Sequence, residues 1–311
     1  MADVILNLLP LKEGEQALFE AAAPGAEHLY ARRDTVTAEQ LEAATVIFGF
    51  PPAERMKECK NLKWFQTMWA GVDHYLPAGI LPEGVVLTTS SGSNSQSVAE
   101  HMLASLLSLC RCLPQCRDAQ LRREWGNVDR VKTVSGATVL VLGAGNVGSA
   151  FAERCRLLGA HTVGLKRTAG PVDGFDEVYA MDRLDELLPS ADVVALCLPH
   201  SPETVRLMDG KRLASMKAES ILLSAGRGSV LDQDALVQQL REGRFWGVAL
   251  DVTDPEPLPA GHPLWGFPEV LITPHVAGGL RLAITRDNCI RLAVENLERY
   301  VKGEALRNRI K

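Results

Sequence analysis

The sequence has 311 residues, of which 46% are hydrophobic, so it is long enough for about two domains with ordinary buried cores. Its formal net charge of −5 and isoelectric point near 5.9 argue against a nucleic-acid-binding surface, which would need a basic face. We therefore expect no nucleic-acid partner, and we expect any anionic ligand to be held by local cations.

Neither a membrane span nor a secretory signal is indicated by the sequence. The longest apolar run, residues 102–110, contains two serines and is followed by an arginine, so it is too short and polar to cross a bilayer. The first residues lack the basic start and the cleavage site of a signal peptide. Seven cysteines without a CxxC pair argue against a disulfide framework and against a zinc site. We therefore expect a cytoplasmic protein with no membrane contact and no bound metal.

Strands and helices alternate through the first part of the chain. The pattern predicts strands at residues 3–9, 27–33, 46–50, 62–68 and 85–90, and helices at 13–23, 38–44 and 53–60. Such an alternation is typical of a parallel sheet covered by helices. The fourth strand is followed by a glycine-containing loop, at the edge where open α/β sheets bind ligands: Trp69, Ala70, Gly71 and Val72.

A polar stretch, residues 91–95, separates this region from an apolar helix predicted at residues 98–112. Six apolar or cysteine positions of this helix share one broad face: 99, 102, 103, 106, 107 and 110. That is more apolar surface than a peripheral helix needs. Two interpretations stay open, because the helix can be buried between domains or can form an interface between two copies of the chain; we favour the dimer.

The clearest motif begins with a strand predicted at Thr138–Leu142. This strand leads into a glycine turn, GAGNVG at residues 143–148, and then into a helix-forming segment. One glycine permits the tight turn, a second lets a pyrophosphate approach the backbone, and a third lets the helix pack closely on the strand. The positive end of the helix would attract the pyrophosphate. A lone GxGxxG is a weak signal, but this strand–turn–helix context predicts a dinucleotide site contacted by Gly143, Gly145, Asn146, Val147 and Gly148.

The end of the next strand, predicted at residues 161–165, bears on which dinucleotide binds. A protein that prefers NAD carries Asp or Glu there, whereas this chain has Lys166, Arg167 and Thr168. A guanidinium can bind a 2′-phosphate through charge-assisted hydrogen bonds, and a carboxylate would repel it. The alternative is a solvated basic turn. We predict that NADP(H) is preferred and that NAD(H) is possible.

Three polar side chains follow consecutive strands in the second half: Arg227, Glu256 and His275. The strands are predicted at residues 220–224, 247–252 and 270–273, after one at 192–198, with helices at 204–217, 232–242 and 280–301. Because carboxyl ends of parallel strands meet at one edge, we expect the three groups to converge there. Arginine can bind a carboxylate bidentately, and a histidine beside a glutamate can transfer a proton near neutral pH. Each residue alone also has a purely structural explanation.

The order of these motifs resembles the D-isomer-specific 2-hydroxyacid dehydrogenase family nearly from end to end. The matching segments are residues 98–101, 143–148, 198–199 with 203–204, 226–228 with 231–232, 249–252 with 256–257, and 273–278. The resemblance implies an α/β fold of two Rossmann-like domains, one flavodoxin-like and one dinucleotide-binding, with parallel sheets and a cleft between them. Residues 1–97 and 278–311 would form the substrate-binding (catalytic) domain, and residues 98–277 the dinucleotide-binding domain.

The same resemblance implies roles for individual residues. His275 would be the acid/base, Glu256 its partner, and Arg227 the group that binds the substrate carboxylate and polarises the keto oxygen. The backbone amides of Ala70, Gly71 and Val72 would hold the carboxylate, with Trp69 beside the pocket. Further cofactor contacts are implied for Leu198, Pro199, Ala225, Asp251 and Gly278, with Asp251 at the nicotinamide end.

Within the family, residues 166–168 and 257–265 look most like the NADPH-preferring glyoxylate/hydroxypyruvate reductases. We therefore expect hydride transfer to a small 2-keto acid, or from a 2-hydroxy acid, by a homodimer. Ser224 departs from the family pattern, which often has Asn at that position. The alternative in another class is a nucleotide-sensing binding module like the C-terminal-binding-protein corepressors, which keep the Arg, Glu and His. Formate dehydrogenases are a third possibility, but their family has Gln where Glu256 stands.

Overall fold

The computed structural model describes residues 2–126, 128–280 and 282–311, which divide into two compact units. The first unit consists of the residues up to Asn94 together with Gly279–Lys311, and the second consists of Ser95–Gly278. The first unit is therefore built from two separate pieces of the chain. No described helix has the length and apolar character needed to cross a membrane.

The first unit contains a five-stranded parallel sheet. Its strands are β1 (Val4–Asn7), β2 (Glu27–Tyr30), β3 (Val46–Gly49), β4 (Trp64–Thr67) and β5 (Val86–Thr88). They are arranged in the order β2-β1-β3-β4-β5, which is the flavodoxin-like order. The strands predicted from the sequence are confirmed, and each is one to three residues shorter than expected. The backbone of Leu87 in β5 also pairs with Ile310 and Lys311, which lie beyond the terminal helix.

Helices cover this sheet through aromatic contacts and one strong ion pair. They are α1 (Glu15–Ala22), α2 (Ala38–Ala43) and the terminal helix (Ala283–Val301). The segment predicted as a helix at 53–60 is a 3-10 helix, Ala53–Glu58. In the core, the Phe48 ring centroid lies 5.2 Å from that of Phe19 and 5.1 Å from that of Trp64. Arg286 of the terminal helix donates from Nη1 to Glu15 Oε1 at 2.8 Å, joining that helix to α1.

The second unit contains a seven-stranded parallel sheet. Its strands are β6 (Thr138–Leu142), β7 (His161–Lys166), β8 (Glu177–Ala180), β9 (Val193–Leu196), β10 (Ser220–Ser224), β11 (Phe245–Leu250) and β12 (Val270–Ile272). The order is β12-β11-β10-β9-β6-β7-β8, so the direction of winding reverses between β6 and β9. Dinucleotides bind at such a reversal in the Rossmann fold. β8 was not predicted, because this partly exposed edge strand lacks a continuous apolar run.

The helices of the second unit differ from the sequence-based expectation at residues 113–121 and 184–187, where no helix was predicted, and at residues 204–209, where a predicted helix is absent. They are α3 (Ser95–Cys110), α4 (Leu113–Leu121), α5 (Asn146–Leu157), α6 (Leu184–Leu187), α7 (Gly210–Ser215) and α8 (Gln233–Arg241). The helix predicted at 204–217 is wrong for its first half. Arg206 has a left-handed φ of 49° and Met208 forms a β-bridge with Leu231, so the backbone becomes helical only after Asp209.

The apolar face predicted on α3 is largely buried within the second unit. Ala99, Met102, Leu106 and Cys110 are among the buried residues of a hydrophobic cluster that also contains residues of β6, β9, β10 and β11. A second group of large apolar side chains stays exposed on α3, on α4 and after it: Leu107, Leu113, Leu121 and Trp125. Burial within the second unit thus accounts for the first group of side chains, and an interface between two copies of the chain would have to use the second, exposed group.

Candidate functional site

Two glycines of the turn after β6 are explained by the packing of the second unit. Gly143 has φ 108°, and a Cβ atom there would lie 2.8 Å from the carbonyl oxygen of Cys197. A Cβ atom on Gly148 would overlap the carbonyl oxygen of Gly143, so only glycine lets α5 pack this closely on β6. Both positions thus support the strand–turn–helix geometry that the sequence predicts.

Gly145 has a different environment. A Cβ atom built on it would meet no atom within 4 Å in the described part of the chain. Its φ of −95° is open to other residues, so neither backbone strain nor protein packing requires glycine here. Gly145 is the N-cap of α5, where helix N–H groups and the helix dipole attract an anion. The open space beside it fits a bound pyrophosphate, and the residues present therefore suit a dinucleotide.

The basic residues after β7 lie at the same edge of the sheet. Lys166 is the last residue of β7 and is half-buried, while Arg167 and Thr168 are exposed. The pKa of the Glu203 carboxyl is lowered by a hydrogen bond from Ser201 first and, to a smaller extent, by the charge of Arg167. Arg167 is therefore near the loop that follows β9, in a position to meet an anionic group at the end of β7.

The loops after β9 and β10 touch each other. A Cβ atom on Gly226 would overlap the carbonyl oxygen of Leu198, so these two backbones are in contact. Leu198 is buried, and Pro199 next to it is exposed. Ser224, at the end of β10, is buried, and its hydroxyl oxygen has no hydrogen-bond partner among the described residues. Ser224, where the family often has Asn, thus has an unsatisfied polar atom next to Ala225, at the carboxyl end of β10.

His275 and Glu256 form a direct pair. His275 Nδ1 lies 2.8 Å from Glu256 Oε2, and the two side chains are 49% and 38% exposed. Because a carboxylate only accepts hydrogen bonds, the pair places a proton on Nδ1 and leaves Nε2 for other chemistry. Glu256 Oε1 accepts from the backbone amide of Thr253 at 3.1 Å, which fixes the carboxylate. The structure therefore brings together the two residues predicted as acid/base and partner.

The turn that carries His275 is held by Asp251. His275 has a left-handed φ of 50°, a conformation that L-residues seldom adopt. The buried Asp251 carboxylate accepts from the amides of Val276 at 2.9 Å and Ala277 at 3.0 Å, and from the hydroxyl of Thr273 at 2.6 Å. The resemblance assigns Asp251 to the nicotinamide end of the cofactor. Its support of the histidine turn was not foreseen from the sequence.

His101 is a further residue that the sequence motif contained without a role. It lies on α3, and its Nε2 atom is 3.0 Å from Thr273 Oγ1 and 3.6 Å from Asp251 Oδ1. The imidazole therefore extends the polar network beneath the His275 turn. The pattern of residues 98–101 indicates a helix but gives no sign of this long-range contact.

Arg227 lies between two glycines after β10. Its Nη1 atom donates to the carbonyl oxygen of Gly226 at 2.8 Å. A Cβ atom on Gly228 would overlap the backbone carbonyl of Thr253, so the Arg227 loop is in contact with the segment that leads to Glu256. The three predicted catalytic residues all belong to the second unit: Arg227 follows β10, Glu256 follows β11 and His275 follows β12.

The predicted substrate loop belongs to the first unit. The Trp69 ring centroid lies 5.5 Å from that of Phe50, and the Trp69 amide donates to Thr67 Oγ1 at 3.2 Å. Ala70 is exposed, Gly71 is half-buried and Val72 is buried. An aromatic pair therefore borders a loop with accessible backbone. Its contact with substrate stays a prediction.

The chain matches one protein family over more than half of its length. Residues 103–277 match the family described as "D-isomer specific 2-hydroxyacid dehydrogenase, NAD binding domain". This range contains the glycine turn, the basic residues after β7 and the three residues that follow β10, β11 and β12. The match therefore covers most of the second unit.

Two curated relatives have different activities at similar identity. The glyoxylate reductase of Thermofilum pendens is 32% identical over 81% of this chain and 76% of its own length. The chloroplastic/mitochondrial formate dehydrogenase of Arabidopsis thaliana is 30% identical over 82% of this chain and 67% of its own length. Overall identity thus does not select a substrate.

Two solved structures resemble the whole chain. A D-isomer specific 2-hydroxyacid dehydrogenase family protein from Aeromonas salmonicida is 30% identical with a TM-score of 0.87, covering 100% of this chain and 99% of its own. A D-isomer specific 2-hydroxyacid dehydrogenase from Xanthobacter autotrophicus, solved with NADPH and MES, is 30% identical with a TM-score of 0.83, covering 100% of this chain and 98% of its own.

Proposed function

The chain belongs to the D-isomer specific 2-hydroxyacid dehydrogenase family of NAD(P)-dependent oxidoreductases, and from this premise we propose that it is an NADP(H)-preferring 2-keto acid reductase. The proposed substrate is a small 2-keto acid such as glyoxylate or hydroxypyruvate. The observation that carries the proposal is the pairing of His275 Nδ1 with Glu256 Oε2 at 2.8 Å. That pair supplies an oriented proton donor after β12.

Each side chain has a defined task in the proposed reduction. Arg227 binds the substrate carboxylate and polarises the keto oxygen. When bound, NADPH supplies the hydride that reduces the keto carbon. His275 donates a proton from Nε2 to the keto oxygen, so that hydride and proton together give a 2-hydroxy acid. Glu256 orients the imidazole and keeps a proton on Nδ1.

Glu256 separates the proposed activity from formate oxidation. The formate dehydrogenase pattern has Gln at this position, and an amide can donate as well as accept, so it does not fix a proton on Nδ1 as a carboxylate does. Reduction of a keto group needs a second proton on Nε2, which His275 donates. The relative named as a glyoxylate reductase supports the choice of a small 2-keto acid.

The proposed preference for NADP(H) depends on the residues after β7. Arg167 and Lys166 stand where an NAD-specific protein would carry a carboxylate. The related Xanthobacter structure was solved with NADPH, which supports this assignment. We also propose a homodimer, because Trp125 is fully exposed and Leu113 and Leu121 are 53% and 65% exposed nearby in sequence. Sedimentation of wild-type protein beside Trp125→Ser would detect loss of that association.

The test is a grid of assays that follow reduced nicotinamide. NADPH and NADH are each combined with glyoxylate, hydroxypyruvate, pyruvate, phenylpyruvate and 2-ketoisocaproate. Turnover with NADPH well above NADH, and with a small keto acid above the larger ones, is the expected result. No oxidation of NADPH or NADH with any of these keto acids, in protein that calorimetry shows to bind nucleotide, would contradict the proposal. It would favour a nucleotide-sensing binding module.

A further inference from the structure

The turn that carries Glu256 is held on one side by hydrogen bonds between side chains and the backbone. Thr253 Oγ1 donates to the carbonyl oxygen of Pro255 at 2.9 Å, and the Thr253 amide donates to Glu256 Oε1 at 3.1 Å. The close approach of Gly228 to Thr253 blocks movement of the turn toward the Arg227 loop. These contacts fix the start of the turn.

The other side of the turn lies over a cavity of about 280 Å³. Its lining includes Arg206, Ser229, Gln233, Asp254 and His262. Tight side-chain packing therefore does not support Asp254 from this direction. One hydrogen bond does, because Gln233 Nε2 donates to the carbonyl oxygen of Asp254. Gln233 is only 8% exposed, while Asp254 is exposed, so this bond joins a buried side chain to the surface turn.

The backbone around Gln233 is fixed by a helix cap and a β-bridge. Gln233 is the first residue of α8, and the preceding Asp232 caps that helix by accepting from the Ala235 amide at 3.0 Å. The Asp232 amide in turn donates to the carbonyl oxygen of Met208 at 3.0 Å, next to the β-bridge between Met208 and Leu231. A side chain on a capped and bridged helix start can hold a loop in one position.

We propose that Gln233 is a positioning residue that keeps Glu256 in place against His275. The inference deepens the proposed reductase activity and rests on it. Asp254 is two residues before Glu256, so the Gln233 amide controls the turn close to the carboxylate. Without the bond, the turn can shift toward the cavity and the 2.8 Å contact between Glu256 and His275 loosens.

The main test compares Gln233→Met with Gln239→Met. Gln239 is a matched control, because it lies on the same helix, is also 8% exposed, and also has an Oε1 atom without a partner among the described residues. Its amide contacts Glu242 rather than the Glu256 turn. We expect Gln233→Met to lower kcat by about fivefold to tenfold with little change in the KM for NADPH, and Gln239→Met to leave both unchanged.

A double-mutant cycle with Glu256→Gln separates positioning from general damage. If Gln233 acts through Glu256, Gln233→Met causes no further loss of kcat in the Glu256→Gln background. If the loss of kcat in the double variant equals the product of the losses in the two single variants, the inference is overturned. Wild-type turnover in the same assays keeps this outcome distinct from failure of the proposed function.

Hydrogen exchange gives a readout that needs no activity. We expect backbone amides of residues 251–258 to exchange faster in Gln233→Met than in Gln239→Met. Gln233→Asn is a second variant that keeps the amide but shortens its reach, so it serves if the Met variant folds poorly. Unchanged exchange of this segment in a folded Gln233 variant would refute the proposal that Gln233 positions Glu256, whether or not the protein reduces keto acids.

Discussion

The carbonyl oxygen of Asp251 accepts the backbone amide of His275 at 2.8 Å, and the Asp251 carboxylate binds the two amides that follow His275. One buried acid thus determines the backbone of the turn from which the histidine projects. Removing the carboxylate leaves one buried and two partly buried donors unpaired, at a cost of about 1–3 kcal/mol for a buried one.

We therefore expect Asp251→Ala to lower the free energy of unfolding by about 3 kcal/mol and to reduce kcat, because the His275 turn loses its support. Urea unfolding followed by circular dichroism measures the first effect. Asp251→Asn is the control: its amide oxygen still accepts, so it should lose less stability. Equal stability of Asp251→Ala and wild-type protein would contradict this account.

His275→Ala should reduce turnover by roughly two to four orders of magnitude, as loss of a general acid does. The same assignment gives a sign to the pH dependence. Reduction needs the protonated imidazole and should fall as pH rises, while oxidation needs the neutral form and should rise. Initial rates in both directions across pH measure this. His161→Ala, an exposed histidine at the start of β7, should keep near-normal rates.

Gly145 and Gly148, two of the three glycines that follow β6, should respond differently to alanine. Gly148→Ala forces overlap with the Gly143 carbonyl, so we expect a lower melting temperature. Gly145→Ala meets no atom within 4 Å in the described structure, so the melting temperature should hold while nucleotide affinity falls more than about tenfold. Calorimetry and thermal unfolding of both variants provide the comparison. Unweakened nucleotide binding by Gly145→Ala would place the pyrophosphate elsewhere.

Arg167→Asp should weaken NADPH binding far more than NADH binding, because a carboxylate would repel the 2′-phosphate that the guanidinium binds. Dissociation constants for both nucleotides measure the difference. Lys211→Asp, which changes the charge of another exposed residue of the second unit by the same amount, is the control. Equal losses for both nucleotides in Arg167→Asp would reject the role of this residue.

Acid unfolding of the first unit should depend on Glu15. A hydrogen bond from Arg286 lowers the pKa of the Glu15 carboxyl from 4.5 to about 2. Because the pKa is lower in the folded protein, the pair stabilises fully above pH 4.5 and loses its effect as the pH falls toward 2, a contribution of at most about 3 kcal/mol. Glu15→Gln should flatten the pH dependence of unfolding in this window. Glu13→Gln, at an exposed neighbour, should leave it unchanged.

Apolar periodicity, a local signal, was sufficient for most strands, whereas the pairing of His275 with Glu256, 19 residues apart, was implied by the family resemblance. Sequence patterns failed where long-range contacts decide the outcome. The bridge between Met208 and Leu231 overrides a helix-like pattern, and β8 forms by pairing with β7 although its own residues are polar. The roles of Gln233 and His101 depend on partners 21 and 172 residues away, which no local spacing reveals.

The discontinuous first unit has a consequence for biosynthesis. Its β5 strand pairs with residues 310 and 311, and its core includes residues of the terminal helix, so it lacks part of its sheet edge and core until residues 279–311 have been made. The second unit is a single stretch, Ser95–Gly278, whose partners are all synthesised before that point. Folding on the ribosome should therefore be completed first in the second unit, while strands β1–β5, although made earlier, wait for residues 279–311.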